Sequence, residues 1–442
     1  MVSSITQMKK KELVQYMVDK KDRINQLEVF SRDLEINPTK NFITSIVGPR
    51  RAGKTYSMYD YILNKKGLDE SEFLFIDFEE ASMAEADFKD IGKAVESHLE
   101  NYGEEPEFIF LDEVQNVKDW QKAVRSLFET KKYYLFVSGS SSKLLSKEIA
   151  TSLRGRTLTK TIMPLSFREY LDRKKKGFEG LGKMLPTSKK NEIKNHLKEY
   201  LENGGFPPLV FESGLKDRFF NEYLDLVIFR DLVERHGVEN VFAVKFLIKN
   251  ILGSFSKEFS TNKVYNSLKS QGVKVSKKSL YNYLSYLEDA FFSFSLKKFY
   301  YSQKKASTSI PKIYLNDPGL ATTLAMNFSE NIGRLMENCV FVDLFREKKN
   351  NSGLEFYYWK GQKREVDFVK KEDDKIVKLI QVCYNLEDEE TRKREIEALL
   401  EAGKKLDCNE MLVITWDYEG QEDLGREGVK FLPLWKWLLM DN

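Results

Sequence analysis

Cysteine and histidine are scarce, with three of each in 442 residues. Cys339, Cys383 and Cys408 stand far apart and form no CxxC pair, which argues against a disulfide framework or a cysteine-based zinc site and fits a reducing cytoplasm. His98, His196 and His236 show no metal-ligand spacing and offer no obvious partner for a serine or cysteine nucleophile. No apolar run approaches the roughly 20 residues that cross a bilayer, so no membrane segment is expected. The opening MVSSITQMKKKELVQYMVDKKD lacks the apolar stretch of a signal peptide. A strong charge of one sign is missing too. The net charge is +3, and the pI of about 8.3 falls short of the value above ~9 that marks a dedicated nucleic-acid binder.

What is present suits a multidomain globular chain. Hydrophobic residues make up 41% and charged residues 31%, enough to bury more than one core, and the length predicts two to four domains. Residues 1–40 carry a helical stripe of Leu13, Met17, Ile24, Leu27 and Phe30, read as a helix packed on the following domain. Residues 41–165 alternate helical stretches with runs dense in Phe, Ile, Leu and Val. These runs, 42–48, 72–78, 107–113, 133–139 and 157–163, predict parallel strands buried on both faces of an α/β sheet. Residues 166–240 read as mainly helical, with a Gly-Gly-Phe-Pro-Pro break at 204–208. Residues 241–325 predict three helices followed by a strand pair, with Ser260 and Ser276 as N-caps. Residues 326–442 predict a helix, three strands, a charged helix and a final strand, a second α/β core.

The chemistry concentrates in the 41–165 segment. Gly48-Pro49-Arg50-Arg51-Ala52-Gly53-Lys54-Thr55 fits G-x-x-x-x-G-K-[ST], with a strand running in and a helix beginning at Thr55-Tyr56. In such a loop backbone N–H groups face phosphate oxygens, the lysine reaches the β and γ phosphates, and the Thr hydroxyl binds Mg²⁺. ATP and Mg²⁺ are therefore the expected ligands. Arg50 and Arg51 are either phosphate contacts or solvated side chains. Further on, FIFLDEVQ places Asp112 and Glu113 at the carboxyl end of a buried strand, where ligands sit in open α/β sheets. Asp112 would hold Mg²⁺ and Glu113 would deprotonate the attacking water. The next strand ends in Ser138-Gly139-Ser140. A polar residue there either senses the γ phosphate or caps the following helix. Arg154 and Arg156, in SLRGRTL, are candidates for a guanidinium that stabilises the transition state, one that a neighbouring subunit of a homo-oligomer could donate; the alternative is a solvated arginine pair.

These segments together resemble the prokaryotic AAA-type ATPases that carry a C-terminal domain of their own. The resemblance rests on GPRRAGKT, FIFLDEVQ, SGSSS, LRGR followed by PLSFREYL, and GGFP. It continues through YLNDPGLA, GRLMEN and FYYWKGQKREVDF, so it covers nearly the whole chain from about residue 40. It implies an α/β fold with an ASCE-type P-loop core in 41–165 and a helical lid in 166–240. Lys54, Thr55, Asp112 and Glu113 would take the roles given above, with Ser138 or Ser140 as sensor and Arg156 as finger.

The C-terminal half offers two further readings. From Phe259 to Lys312 there are ten lysines, six tyrosines, two acids and no arginine. Three helices and a strand pair in 241–325 resemble a winged helix. Lys277, Lys278, Tyr281, Asn282 and Ser285 form the outer face of its third helix, for contact with DNA or with a protein client. In 326–442, Glu337, Asp367 and IQVC resemble the PD-(D/E)xK nuclease layout, but Gln381 replaces an acid and Cys383 the lysine. The fold is expected to be kept and the nuclease chemistry lost. The overall expectation is a cytoplasmic ATPase acting on a macromolecular partner, with a nucleotide-locked switch or an ATP-gated nuclease as alternatives.

Overall fold

A computed structural model describes residues 10–141, 156–174, 185–325, 331–351, 353–424 and 427–440. The chain divides into two compact units, 1–162 and 163–442.

The first unit is built on a five-stranded sheet of β1 (Ile43–Val47), β2 (Phe73–Asp77), β3 (Phe108–Asp112), β4 (Tyr134–Gly139) and β5 (Thr157–Thr161). The order is β2-β3-β4-β1-β5, and every pairing is parallel. One strand, β4, thus separates the strand that enters the P-loop from the strand that ends in Asp112. The register explains the sequence of β2, β3 and β4. Phe75 pairs with Phe110 and Phe110 with Phe136, so three phenyl rings line up on one face, with centroids 6.0 and 4.5 Å apart. Tyr61, from the helical stretch after the P-loop, packs 5.0 Å from Phe136. Such stacked rings add to the area they bury. The fifth strand differs from expectation. Thr157–Thr161 is half-exposed, and Leu158 is open to solvent, because β5 is the edge strand of the sheet.

Helices α1 (Lys10–Asn25), α2 (Lys54–Asp60), α3 (Phe88–Tyr102) and α4 (Trp120–Glu129) complete this unit. α1 packs as expected through Leu13, Met17 and Ile24, but it stops at Asn25. Leu27 is exposed and lies beyond the helix, so the stripe does not extend to it or to Phe30.

The second unit begins with helices α5 (Phe167–Arg173), α6 (Thr187–Asn203), α7 (Pro207–Phe211) and α8 (Lys216–Leu226). Ser166 and Glu169 close a reciprocal cap on α5, which gives the PLSFREYL segment a local reason. Then come α9 (Val241–Ser254), β6 (Lys257–Glu258), α10 (Thr261–Ser270), α11 (Lys277–Asp289), β7 (Ser293–Leu296), α12 (Gln303–Thr308) and β8 (Lys312–Leu315). The three strands form a small sheet in the order β6-β8-β7. Ser260 and Ser276 accept the N–H groups of Lys263 and Ser279, the caps expected of them.

After α13 (Pro318–Leu324) and α14 (Ile332–Asn350), a six-stranded mixed sheet is assembled from β9 (Leu354–Lys360), β10 (Glu365–Glu372), β11 (Lys375–Cys383), β12 (Glu410–Thr415), β13 (Gly420–Leu424) and β14 (Glu427–Pro433). α15 (Glu389–Leu406) lies between β11 and β12, and α16 (Leu434–Leu439) follows β14. The sheet order is β13-β14-β12-β11-β10-β9. β13, β14 and α16 are additions to the sequence reading; GQEDL is too polar to announce a strand.

Two findings revise the reading of 259–312 as one basic surface. Lys312 is buried. The segment after β7 is also engaged: Phe299 N–H donates to Tyr358 O (2.7 Å) and Tyr358 N–H to Lys297 O (3.1 Å), so this segment extends the β9 edge of the large sheet. An edge strand covered in this way is removed as a site for stray pairing. No helix among the described residues is long and apolar enough to cross a membrane.

Candidate nucleotide-binding site

The P-loop joins β1 to α2. Gly53 takes a left-handed conformation (φ 98°) immediately before the helix, a turn that glycine makes without strain. Gly48 is required for a different reason. A Cβ there would lie 2.0 Å from the carbonyl oxygen of Ile162, the residue that follows β5 and donates its N–H to Val47 O. Its role is close packing of the loop's entry against a neighbouring backbone. Arg51 is also left-handed (φ 61°) and exposed. Arg50 reaches Glu79 at 3.1 Å, so it is an ion-pair partner here. Pro49 O accepts both Ala52 N–H and the Lys54 ammonium, each at 3.3 Å. Tyr56 is half-exposed on the first turn of α2, with its ring edge-on to Tyr59.

Four of the candidate side chains meet at the carboxyl ends of β1 and β3. Thr55 Oγ1 donates to Asp112 Oδ2 at 2.6 Å. The Lys54 ammonium lies 3.1 Å from Glu113 Oε1. All but Thr55 are nearly closed to solvent. Glu113 holds a left-handed backbone (φ 49°), unusual for a non-glycine residue and characteristic of strained functional positions. Ser138, at the end of β4, fastens the pair: its hydroxyl donates to Asp112 Oδ1 and accepts the Glu113 N–H (3.0 Å). Gln115 donates its side-chain amide to Glu113 Oε2. Ser140 is buried just beyond, on the same strand end.

The two carboxylates are driven apart electrostatically. Burial, then the charges of Glu113 and Asp77, push Asp112 up to about 7, against the hydrogen bonds of Ser138 and Thr55. Burial also pushes Glu113 upward, but Lys54 and Arg50 outweigh it and hold its carboxyl below the usual range. A site this rich in anionic oxygen fits a hard divalent cation, which prefers oxygen ligands; Thr55 Oγ1 and Asp112 Oδ2, now hydrogen-bonded to each other, are the oxygens that could hold it.

Arg156 stands elsewhere. It precedes β5, its carbonyl accepts Ile43 N–H, and Thr157 pairs with Ile43 at the opposite end of the sheet from the P-loop. Four residues of strand, roughly 13 Å, separate the two ends. Arg156 therefore does not reach its own chain's site. Arg154 lies outside the described residues.

The structure adds two residues that sequence reading missed. Asp77 ends β2 and pairs in register with Asp112. Lys20, buried on α1, reaches Asp77 Oδ2 at 3.0 Å and Glu80 Oε1 at 2.6 Å. The echo of FLFID in FIFLD was a readable signal for Asp77; nothing local marked Lys20. Upstream of β1, Arg32 donates to the P-loop carbonyl of Ala52 at 2.9 Å, and Ser31 to Asp60 at 2.6 Å.

Residues 40–171 match the AAA domain family AAA_14, and 194–331 and 332–437 match domains of unknown function, DUF8612 and DUF4143. Uncharacterized protein MJ1544 of Methanocaldococcus jannaschii is 38% identical over 432 residues, spanning 96% of this chain and 94% of the relative. The chain belongs to this AAA-domain family. A further relative, an uncharacterized protein of Haemophilus influenzae, is 27% identical over 90% of this chain and 94% of its own length. Among solved structures, the Walker-type ATPase PABY2304 of Pyrococcus abyssi aligns over 72% of this chain and 96% of its own, at 15% identity and a TM-score of 0.41. Cdc6p of Pyrobaculum aerophilum aligns over 77% and 97%, at 12% identity and 0.26.

Proposed function

We propose that the protein binds Mg-ATP in the Gly48–Thr55 loop and hydrolyses it, using the cycle to change its conformation on a macromolecular partner. The observation that carries this reading is the meeting of Lys54, Thr55, Asp112 and Glu113 in one buried cluster at the strand ends. Residues of these types, placed so, fill the positions of phosphate clamp, metal ligands and general base.

In this reading the loop's N–H groups and Lys54 hold the triphosphate, with Gly48 to Tyr56 forming the cradle. Lys54 now rests on Glu113. An incoming γ phosphate competes for that ammonium and frees the Glu113 carboxylate. Glu113, fixed by Ser138 and Gln115, then orients a water and takes its proton as oxygen attacks phosphorus. Bound between Thr55 and Asp112, Mg²⁺ would neutralise phosphate charge. Ser138 or Ser140, both at the end of β4, would sense the γ phosphate. Arg156, remote from its own site, serves as a finger only across a subunit boundary in a homo-oligomer.

The three-stranded module supports a partner reading. Its helices α9, α10 and α11 and the β6-β8-β7 sheet follow the winged-helix order. On α11, Lys277, Lys278, Tyr281 and Asn282 are exposed, with Lys263, Lys269 and Lys274 nearby in sequence and also exposed. That face suits contact with duplex DNA phosphates. The large sheet would then be a scaffold without nuclease chemistry. Gln381 is spent holding Asp367 N–H and Glu395.

Steady-state ATP hydrolysis of the wild type and Glu113→Gln, with and without duplex DNA, tests these statements. Turnover that needs Glu113 supports the ATPase, and stimulation by DNA supports the α11 face. Nucleotide binding without turnover in any condition points to a nucleotide-locked switch. No binding at all sinks the reading.

A further inference from the structure

Lys312 opens β8 in the small sheet, and its side chain is 3% exposed. Its ammonium is surrounded by three carboxylates: Glu365 Oε1 at 2.7 Å, Asp367 Oδ1 at 2.8 Å and Glu337 Oε1 at 3.0 Å. Glu337 comes from α14, and the other two from the first turn of the pleat in β10. Each acid is held from behind. Tyr314, two residues after Lys312, donates its hydroxyl to Glu337 Oε1 at 2.7 Å. Val382 N–H donates to Asp367 Oδ2 at 3.0 Å. Lys360, on the solvent side, reaches Glu365 Oε2 at 3.5 Å and Glu258 at 2.8 Å.

A buried ion pair ordinarily sets one charge against one, since each desolvated charge needs its own compensation. Here one buried ammonium touches three carboxylates, of which only the partly exposed Glu365 has a second lysine, Lys360. The remaining negative charge is visible in Glu337, which burial and the Asp367 charge push up to about 7 even beside Lys312. Three carboxylate oxygens converge on one small cation, and oxygen is the donor type that a hard metal ion prefers. Their distances to nitrogen exceed the 2.3–2.6 Å of Ca²⁺–oxygen bonds by only about 0.4 Å.

We propose that the Lys312 ammonium stands in for a divalent cation: Glu337, Glu365 and Asp367 make an oxygen site for a hard metal ion that the chain closes with its own lysine. While Lys312 is in place the three acids are not spaced to hold a metal, and an external dication meets a buried positive charge. The consequence for the wild type is a metal-free clasp. Lys312 belongs to the segment matching the first domain of unknown function and its three acids to the segment matching the second, so the lysine joins the small sheet to the large one. Tyr314–Glu337 and the paired bonds of Asn338 to Leu315 N–H and O (2.8 and 3.1 Å) reinforce the same seam. This inference stands apart from the ATPase reading, because it concerns no residue of the P-loop site.

The test uses full-length Lys312→Met without nucleotide. Its thermal unfolding is expected to fall below that of the wild type at neutral pH and to recover as Ca²⁺ is raised to millimolar levels, while the wild type stays unresponsive. Adding Asp367→Asn to Lys312→Met should remove the Ca²⁺ response. Should Lys312→Met not fold without added cation, its refolding yield from denaturant, with and without Ca²⁺, reads the same property. A variant whose stability and refolding ignore Ca²⁺ overturns the proposal. So does a wild type that responds as the variant does, or wild-type cleavage of DNA with Mg²⁺ that is lost on Asp367→Ala, since the site would then hold metal beside the lysine.

Discussion

Lys54 and Glu113 form an ion pair, 3.1 Å between Nζ and Oε1, with both side chains almost wholly buried. The pair joins the residue that would clamp phosphate to the residue that would activate water. Removing one partner strands the other's charge, which costs about 3–5 kcal/mol at buried pairs. Lys54→Ala is therefore expected to lose nucleotide binding and stability together. Lys54→Ala combined with Glu113→Gln should regain much of the stability and none of the binding. Denaturant unfolding and nucleotide titration of the two variants separate the effects. Glu113→Gln alone should keep binding while turnover falls by about 10²–10⁴-fold, the usual contribution of a general base.

Gly48→Ala tests the packing role of the first P-loop glycine. The added methyl would sit 2.0 Å from Ile162 O, and neither atom belongs to a flexible side chain. The backbone of the loop or of the residues after β5 must move. The expected result is a loss of about 2 kcal/mol or more in stability, together with weakened nucleotide binding. Unchanged affinity and stability in Gly48→Ala would show that the loop tolerates the shift.

The first four strands were legible because their alternating phenyl and aliphatic residues are buried on both faces, and the DE pair because it ends such a strand. β5 and β13 were less legible, since edge strands carry polar residues that loops also use. Ser138 was readable as a polar strand tip but not as the group that fastens Asp112 and Glu113, because that bond spans two strands. Lys20 and Lys312 were illegible for one reason: a lysine looks the same in sequence whether solvent or carboxylates surround it. Lys312 was accordingly counted with a basic face it does not belong to. The YLNDPG and GRLMEN segments looked like family markers, and only the fold shows them meeting through Tyr314–Glu337 and Leu315–Asn338.

Lys21 predicts a pH dependence of the first unit. Its side chain is buried on α1, donates to Glu70 O, lies 3.2 Å from His98 Nδ1 and sits 3.8 Å over the Tyr102 ring. Burial lowers it to about 7, with Glu70 opposing. Below about 7 both the folded and the unfolded chain hold the proton, and the folded state carries the burial penalty in full. Between about 7 and the ordinary lysine value the unfolded chain binds more protons, so stability rises with pH, by at most about 1.4 kcal/mol per pH unit. Urea unfolding at pH 7 and pH 9.5 should show this gain in the wild type, and Lys21→Met should lose it. An equal gain in both proteins removes Lys21 as the cause.

Gly204 and Asp317 predict that two of the family's segments are structural. Gly204 ends α6 with φ 83° and ψ −180°, a region essentially reserved for glycine. The turn brings the next N–H, of Gly205, to Asp317 Oδ2 at 2.7 Å, while Asp317 Oδ1 accepts Gly319 N–H at 2.8 Å and caps α13. A Cβ on Gly204 would lie 1.9 Å from Asp317 Oδ1. Gly204→Ala thus meets backbone strain and a blocked carboxylate at once, and the buried acid cannot swing away without leaving two N–H donors unpaired. Each unpaired buried group costs about 1–3 kcal/mol. The second unit is expected to unfold several degrees earlier, while ATP affinity, set by residues of the first unit, stays within about twofold. Calorimetry and nucleotide titration of this one variant give both readings. A protein that keeps its melting temperature but loses ATP binding would place the GGFP turn in the nucleotide machinery instead of the frame.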